Sequence, residues 1–242
     1  MKFKLTLLLF FLSYLTYSQS NTAYQNLYWI RYYNQLTLNP KLTWHNEIDM
    51  RRFMKNSRLH HVIAHSHLHY KILPILDAAF GLTFSQQNPQ FADATSNLSV
   101  PEFRLFQEVT SSLAFSKRVL LNHRFRLDER FIRKNNGIIL LEGNDFNFRF
   151  RFRPQLNIIL GKLESKTPTN LKISDEIMVN FGGEILYNHF DQNRVYVAIE
   201  KGLSKSFSLE MGYMHWYQQR ASGKDFFERN ILRLTVLHKI KL

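Results

Sequence analysis

Apolar and polar residues alternate one by one along most of this chain, which is the pattern of a β-strand with two different faces. The clearest case is the segment 146–153, where four Phe residues alternate with Asn147, Arg149, Arg151 and Arg153. The same alternation recurs in eleven further segments, at 24–36, 42–52, 59–72, 76–85, 102–115, 119–131, 155–163, 173–187, 193–201, 207–219 and 230–242. No segment shows the period of an amphipathic helix, so the sequence predicts an all-β protein.

The length of the alternating segments indicates which kind of β-protein this is. Strands of soluble proteins usually have about five or six residues, whereas a tilted membrane strand needs about nine to eleven. Most segments here are at least that long, which favours a single up-and-down antiparallel transmembrane β-barrel with its charged faces inside. Twelve strands are predicted because bacterial barrels are even-numbered, and counts of ten or fourteen stay open. A water-soluble β-sandwich is the alternative, since it too has a polar and an apolar face.

Turn-forming residues divide the segments into hairpins. Short connections are predicted near Asn39-Pro40, Leu73-Pro74, Ser116-Lys117, Arg153-Pro154 and Gly202 to Ser206. Longer polar connections are predicted near 53–59, 86–101, 132–145, 163–172 and 219–229. Short and long connections alternate, as they do in outer-membrane barrels, until the alternation slips by one in the region 173–201. The slip indicates either a miscounted strand or an atypical connection.

The N-terminal segment has the features of a secretory signal. Lys2 and Lys4 precede an apolar run from Leu5 to Leu12, and the small residue Ser18 stands at the expected cleavage position. The run is too short for a permanent membrane helix, although a buried N-terminal strand or helix remains an alternative. We therefore expect a signal peptide at 1–18 and an outer-membrane barrel domain at 19–242. The chain has no Cys, which excludes disulfides and thiolate metal sites.

The charge of the chain narrows the choice of partners. The sequence has 32 basic and 19 acidic residues and a net charge of +13. The predicted signal contains two Lys and no acid, so the remainder carries +11. A basic surface favours nucleic acid or another anionic partner, and export argues against nucleic acid. The expected partners are the phosphates of phospholipid and lipopolysaccharide in a Gram-negative outer membrane, together with a small anion in the barrel interior.

Four short motifs resemble those of a known family. They are PEFRLFQE at 101–108, NHRFRLDERF at 122–131, FDQNRVY at 190–196 and LEMGY at 209–213. The chain resembles the family of exported proteins catalogued as domain of unknown function 2490, which are regarded as outer-membrane barrels. The resemblance implies a barrel in the cell envelope. It implies no activity and assigns no functional residue.

Charged residues on the polar faces predict an ionic network inside the barrel. Its members are Glu102, Arg104, Glu108, Arg124, Arg126, Asp128, Arg130, Arg149, Arg151 and Arg153. If 102–115 and 119–131 form a hairpin, one register places Glu108, Arg104 and Glu102 opposite Arg124, Asp128 and Arg130. The neighbouring register places Arg104 opposite Arg130, so the charges favour the first. The network either fills the lumen or forms an anion-selective lining or ligand site.

Histidines on one face of 59–72 are candidate metal ligands. A turn near Asn56 would place Glu47 opposite His65 and His45 opposite His67. Imidazoles two residues apart on a strand can share one metal ion with a ligand from the next strand. The predicted metal site therefore consists of His45, Glu47, His65 and His67. The alternative is that these side chains only form hydrogen bonds within the lumen.

No catalytic constellation is recognisable in the sequence. Ser66 stands between His65 and His67, but neighbours on a strand point to opposite faces and cannot form a nucleophile–base pair. We expect neither an enzyme nor a cofactor, and we expect a structural barrel or a narrow, plugged pore. Two alternatives stay open, namely a lipid-modifying hydrolase of the outer membrane and a soluble periplasmic β-domain that binds an anionic ligand.

Overall fold

The computed structural model describes residues 21–242, so the predicted signal peptide lies outside the described residues. Eleven strands form one sheet: β1 (Thr22–Thr37), β2 (Leu42–Phe53), β3 (Leu59–Leu73), β4 (Leu76–Gln87), β5 (Val100–Ala114), β6 (Val119–Asn135), β7 (Leu140–Leu160), β8 (Thr169–Phe181), β9 (Phe190–Gly202), β10 (Phe207–Gln219) and β11 (Phe226–Lys241). Within this range the protein has no helix long and apolar enough to cross a membrane.

The sheet closes on itself. Each strand pairs in antiparallel fashion with the next one along the chain, and β1 closes the barrel by pairing in parallel with β11. An odd number of up-and-down strands leaves the first and last strands pointing the same way, so the closing pair has to be parallel. The all-β barrel is confirmed, with eleven strands instead of about twelve and a mixed instead of a purely antiparallel sheet. Closure leaves no free strand edge.

The difference in strand count arises at Pro154. The turn predicted at Arg153-Pro154 is wrong, because β7 continues through it as one strand of 21 residues. Phe152 pairs with Ile177 and Gln155 with Ser174, but the two residues between them have no partner on β8. Proline cannot donate a backbone hydrogen bond, so the ladder is interrupted there while the strand goes on. Merging 146–153 with 155–163 accounts for both the missing strand and the slip near 173–201.

The distribution of polar and apolar side chains in the barrel is the reverse of that in a soluble protein, which buries its apolar side chains. Charged side chains occupy the inner face, where Glu102, Arg126 and Asp128 are 1%, 4% and 0% exposed. Large apolar side chains occupy the outer face, where Phe150 and Val197 are 41% and 43% exposed. The two-residue period of the strands separates the two sets on every strand of the barrel.

The two ends of the barrel differ. Toward the end where β1 begins, an apolar core lies inside the barrel, formed by Leu27, Trp29, Phe53, Tyr196, Ala198, Met214, Trp216 and Ile231. The longest connection, residues 88–99, packs against this core through Ala92. We call this the lid end. The opposite end carries the connections 38–41, 74–75, 115–118, 161–168 and 203–206, and we call it the mouth.

Candidate functional site

A polar cavity of about 620 Å³ lies inside the barrel. This volume falls in the range of small-molecule sites in other proteins, about 300–1,000 Å³. Twelve basic side chains and six carboxylates contribute to its lining, together with a group of histidines. The cavity is therefore the candidate functional site of the protein.

The lid end of the cavity is closed by side chains as well as by the 88–99 connection. Arg229 is fully buried and donates hydrogen bonds to the amide oxygens of Gln25 (2.7 Å), Gln218 (2.5 Å) and Gln90 (3.0 Å). Gln90 belongs to the connection, so the connection is tied directly to the barrel wall. Arg58 holds the same connection from outside the core by donating to several of its backbone carbonyls.

Aromatic rings and guanidinium groups alternate behind the lid. Arg229 and Arg194 each lie over the Trp216 ring, with 4.3 Å and 4.7 Å between the guanidinium carbon and the ring centroid. Arg51 lies over Trp29 at 3.8 Å. Arg51 also pairs with Asp49 at 2.9 Å, and the cation–π contacts further stabilise the buried positive charge of these guanidinium groups. These contacts form a layer of packed rings and guanidinium groups at the lid end.

Glu102 is the centre of the first ionic cluster in the lumen. Its Oε1 atom accepts hydrogen bonds from Arg104 Nε (2.7 Å) and from Arg130 Nε (2.5 Å). Gln87 donates to the other carboxylate oxygen. One buried carboxylate thus neutralises two guanidinium groups on adjacent strands.

The register predicted for the hairpin of β5 and β6 is wrong. Arg104 faces Arg130, which is the arrangement that the charge pattern disfavours. Two of the three expected ion pairs still form, because Glu102 reaches Arg130 and Glu108 reaches Arg124 (3.6 Å) diagonally across the strands. An Arg side chain is long enough to meet a partner two positions away, so direct opposition is not required.

Asp128 forms a second cluster of the same design. Arg126 and Arg151 face each other on β6 and β7. Asp128 pairs with both, at 2.6 Å from Arg126 Nε and 3.5 Å from Arg151 Nη1. Here too a carboxylate two residues along the strand bridges two facing guanidinium groups. All ten residues of the predicted network lie on the inner face of the barrel.

The sequence-based network omits several carboxylates that complete it. Glu176 of β8 accepts from Arg151 Nη2 (2.9 Å) and also pairs with Arg124. Asp191 of β9 lies 2.9 Å from Arg149 Nε. Glu176 is on the polar face of an alternating segment and Asp191 lies within the FDQNRVY motif, so both could have been proposed from the pattern.

A separate network lies on the other side of the lumen. Glu210 accepts from Lys172 Nζ (2.7 Å), Arg233 Nη2 (2.9 Å) and the Tyr196 hydroxyl (2.8 Å). Lys172 also pairs with Glu200. This group joins β8, β9, β10 and β11, and the sequence-based network did not include it.

Arg153 differs from the other arginines of the predicted network. It faces Arg124 across β6 and β7, yet it forms no ion pair within residues 21–242, and its Nε is shielded from solvent without a hydrogen-bond partner. Arg124 Nε lacks a hydrogen-bond partner as well. Of the three facing guanidinium pairs, this is the one in which one member lacks a carboxylate.

The strand pairing predicted for the histidines agrees with the structure. Glu47 faces His65 and His45 faces His67. The four predicted metal ligands are nevertheless not brought together as one group. His65 Nδ1 lies 2.6 Å from Thr83 Oγ1, and this histidine stays outside a cluster formed by His45, His67 and His69. His69 lies on the same face of β3, two residues from His67, and was not among the predicted ligands.

The geometry around Ser66 agrees with the absence of a nucleophile–base pair at that position. Its hydroxyl donates to Asn46 Oδ1 (2.9 Å) and accepts from Trp44 Nε1 (2.9 Å) on the outer face of the barrel. Its neighbours His65 and His67 line the cavity on the inner face.

A family model described as "Protein of unknown function (DUF2490)" matches residues 26–227, which is most of the barrel. No curated protein and no solved structure matches the chain.

Proposed function

We infer the role of this chain from its own structure, because the chain belongs to the DUF2490 family, as its motifs indicated, and the function of that family is unknown. We propose that the protein is a membrane-spanning barrel of the bacterial outer membrane with a closed, charged lumen. The observation that carries this proposal is the inverted polarity of the barrel wall. A soluble protein buries its apolar side chains and exposes its charged ones.

The outer surface suits lipid better than water. Apolar side chains more than 40% exposed occur on strands all around the barrel, among them Ile48, Leu68, Phe80, Phe103, Phe125, Phe150, Ile177, Val197, Met211 and Leu232. Monomeric soluble proteins rarely expose contiguous apolar patches above a few hundred Å². Strands of 12 to 21 residues also exceed the about nine to eleven that a bilayer requires.

Closure of the sheet meets the other demand of a bilayer. Backbone N–H and C=O groups cannot be left unpaired in hydrocarbon, and a closed barrel pairs them between strands. The packed lid end argues against an open diffusion channel. We therefore assign a structural or ligand-holding role, with a cavity that is accessible from the mouth, where the side chain of Asp77 is 32% exposed.

Fractionation of cells tests the location. The protein should remain in the outer-membrane pellet after washing with sodium carbonate and should migrate faster on a gel before boiling than after it. A closed barrel resists unfolding by detergent, which causes this shift in migration. In planar bilayers the folded protein should give no stable conductance steps. Recovery of a folded monomer in the periplasmic extract without detergent would contradict the proposal.

A second candidate function is the binding of a small anion near Arg153. Facing like charges on adjacent strands are destabilising, and the lumen resolves this at two other places with a bridging carboxylate. Arg153 also has a shielded Nε without a partner. A phosphate or carboxylate ligand placed between Arg124 and Arg153 would supply the missing negative charge.

Calorimetry with inorganic phosphate tests this candidate function. A hydrogen bond to a charged group contributes about 1.5–3 kcal/mol, so Arg153→Gln should weaken phosphate binding about tenfold or more. Arg133→Gln is the matched control, because Arg133 lies on the outer face of β6 and should leave binding unchanged. Equal affinity of the Arg153→Gln variant and the unsubstituted protein would remove the anion site.

A further inference from the structure

Three imidazole rings meet on the inner face of β2 and β3. The His45 ring stacks on that of His69 with 4.0 Å between centroids, and the His67 ring lies 4.7 Å from His69 and 5.1 Å from His45. One ring nitrogen from each residue lies within 4.8 Å of the other two. His67 Nδ1 and His69 Nε2 are 2.8 Å apart and form the one hydrogen bond that joins two of the rings.

The outward-pointing nitrogens of two of these histidines have hydrogen-bond partners. His69 Nδ1 is bound by the carboxylate of Asp77 on β4. His45 Nδ1 lies 2.5 Å from the Tyr33 hydroxyl on β1. Metal-bound histidines almost always engage their second nitrogen in this way, because the partner fixes the tautomer and the orientation of the ring.

Two other nitrogens of the cluster lack hydrogen-bond partners. His45 Nε2 is shielded from solvent and has no hydrogen bond. His67 Nε2 is in the same situation, since the nearest carboxylate oxygen, Glu47 Oε1, is 3.6 Å away. A buried polar atom without a partner calls for an explanation, and an ion bound at His45 Nε2 would supply one.

We propose that His45, His67 and His69 bind a divalent transition metal ion of the zinc class. Neutral imidazole nitrogen is a preferred ligand of such ions, and three histidines form an established donor set for Zn²⁺. Asp77 and Tyr33 orient the rings of His69 and His45 from the outer side, and Glu47 lies 3.6 Å from the outer nitrogen of His67.

The distances require only a small adjustment. Two nitrogens bound to one tetrahedral Zn²⁺ at about 2.0–2.1 Å lie about 3.4 Å apart. The widest pair in the cluster, within 4.8 Å, therefore closes by at most about 1.4 Å, while the 2.8 Å pair opens by about 0.6 Å. Rotation of the side chains provides this movement without any change in the strands.

The site leaves one coordination position open. Three protein ligands leave a fourth position of a tetrahedral zinc ion for water or a ligand. All three histidines line the lumen cavity, so that position faces the cavity. The structure thereby assigns the cavity a bound metal ion beside its arginine-rich wall. The proposed metal site rests only on the barrel fold and does not depend on the proposed location in the outer membrane.

Titration of the protein with Zn²⁺ tests the site. The protein is purified in detergent without a histidine tag, and heat-modifiable migration verifies that each variant is folded. We expect saturable binding of one Zn²⁺, and Co²⁺ at the same site should give the visible absorption of tetrahedral coordination. Asp77→Asn should weaken binding about 10- to 100-fold, the usual effect of losing an outer partner of a metal-bound histidine. His69→Ala removes a ligand and should weaken it further.

His65→Ala is the matched control. His65 lies on the same strand and the same face but outside the cluster, so its removal should leave Zn²⁺ affinity unchanged. A folded barrel that shows no saturable binding would overturn the metal site while leaving the proposed function intact. Equal losses in His65→Ala and His69→Ala, or full affinity in Asp77→Asn, would also contradict this ligand set. If His69→Ala fails to fold, the unsubstituted protein and Asp77→Asn still decide the matter.

Discussion

Glu102→Gln should lower the free energy of unfolding of the barrel by about 3–5 kcal/mol, the range found when one partner of a buried ion pair is removed. Glu102 is 1% exposed, and its carboxylate neutralises both Arg104 and Arg130. Gln has the same shape but no charge. The variant therefore retains the packing and leaves two facing guanidinium groups in the lumen without their shared counter-charge.

The measurement is unfolding by urea in detergent micelles, followed by heat-modifiable migration. Glu129→Gln is the control, because Glu129 lies on the outer face and contacts Gln107 in an exposed position. An exposed contact of that kind contributes about 0–1 kcal/mol, so the control should unfold like the unsubstituted protein. Equal stability of the two variants would mean that the cluster around Glu102 does not stabilise the barrel.

Gly81→Ala should disrupt the barrel wall beside the histidine cluster. A Cβ atom at Gly81 would lie 2.4 Å from His67 Cβ and 2.5 Å from Phe106 Cζ. His67 Cβ is fixed to the backbone of β3, so the strands have to move apart. Overpacking of this kind costs about 1–3 kcal/mol and occasionally more. Displacement of His67 should also weaken Zn²⁺ binding.

Gly183→Ala is the control for this substitution. Gly183 lies in the connection between β8 and β9, and an added Cβ would meet nothing within 4 Å. Urea titration of the two variants and Zn²⁺ titration of the folded protein measure the effects. If Gly81→Ala unfolds at the same urea concentration as Gly183→Ala, the close approach of β3, β4 and β5 at this point is contradicted.

The faces of the strands could be predicted from sequence because they depend only on a two-residue period. The separation of Arg149 and Arg151 from Phe150 onto opposite faces of β7 needs no tertiary information. The length of the segments then predicted that the charged face is the inner one. The strand count needs more. A proline such as Pro154 usually indicates a turn, but in β7 it only interrupts the hydrogen-bond ladder to β8 once, and the strand continues. Nothing in the neighbouring sequence indicates this.

The register of β5 and β6 could not be predicted from the charges of facing residues. That rule assumes that partners lie directly opposite each other, whereas Glu102 serves Arg104 on its own strand and Arg130 diagonally. Both registers therefore satisfy most of the charges. The register is determined by the packing of all side chains in the lumen, including Glu176 of β8 and Asp191 of β9.

The choice among the histidines has a similar cause. His65, His67 and His69 are equivalent in the sequence pattern, since each is two residues from the next on one face. Which two of them meet His45 depends on the tilt of the strands and on partners from β4. Thr83 binds His65 and Asp77 binds His69, and neither contact could be predicted from the segment 59–72 alone.

The central claim, that the outer face of this barrel contacts lipid hydrocarbon, is tested most directly by single-cysteine labelling. The chain has no Cys, so a fluorophore can be attached at Phe150→Cys, at Val197→Cys or, as a control, at Ala221→Cys in the connection between β10 and β11. In reconstituted vesicles, lipids with nitroxide-labelled acyl chains should quench the first two positions, and aqueous iodide should quench Ala221→Cys. Quenching of all three positions by iodide, with no effect of the labelled lipids, would contradict the account.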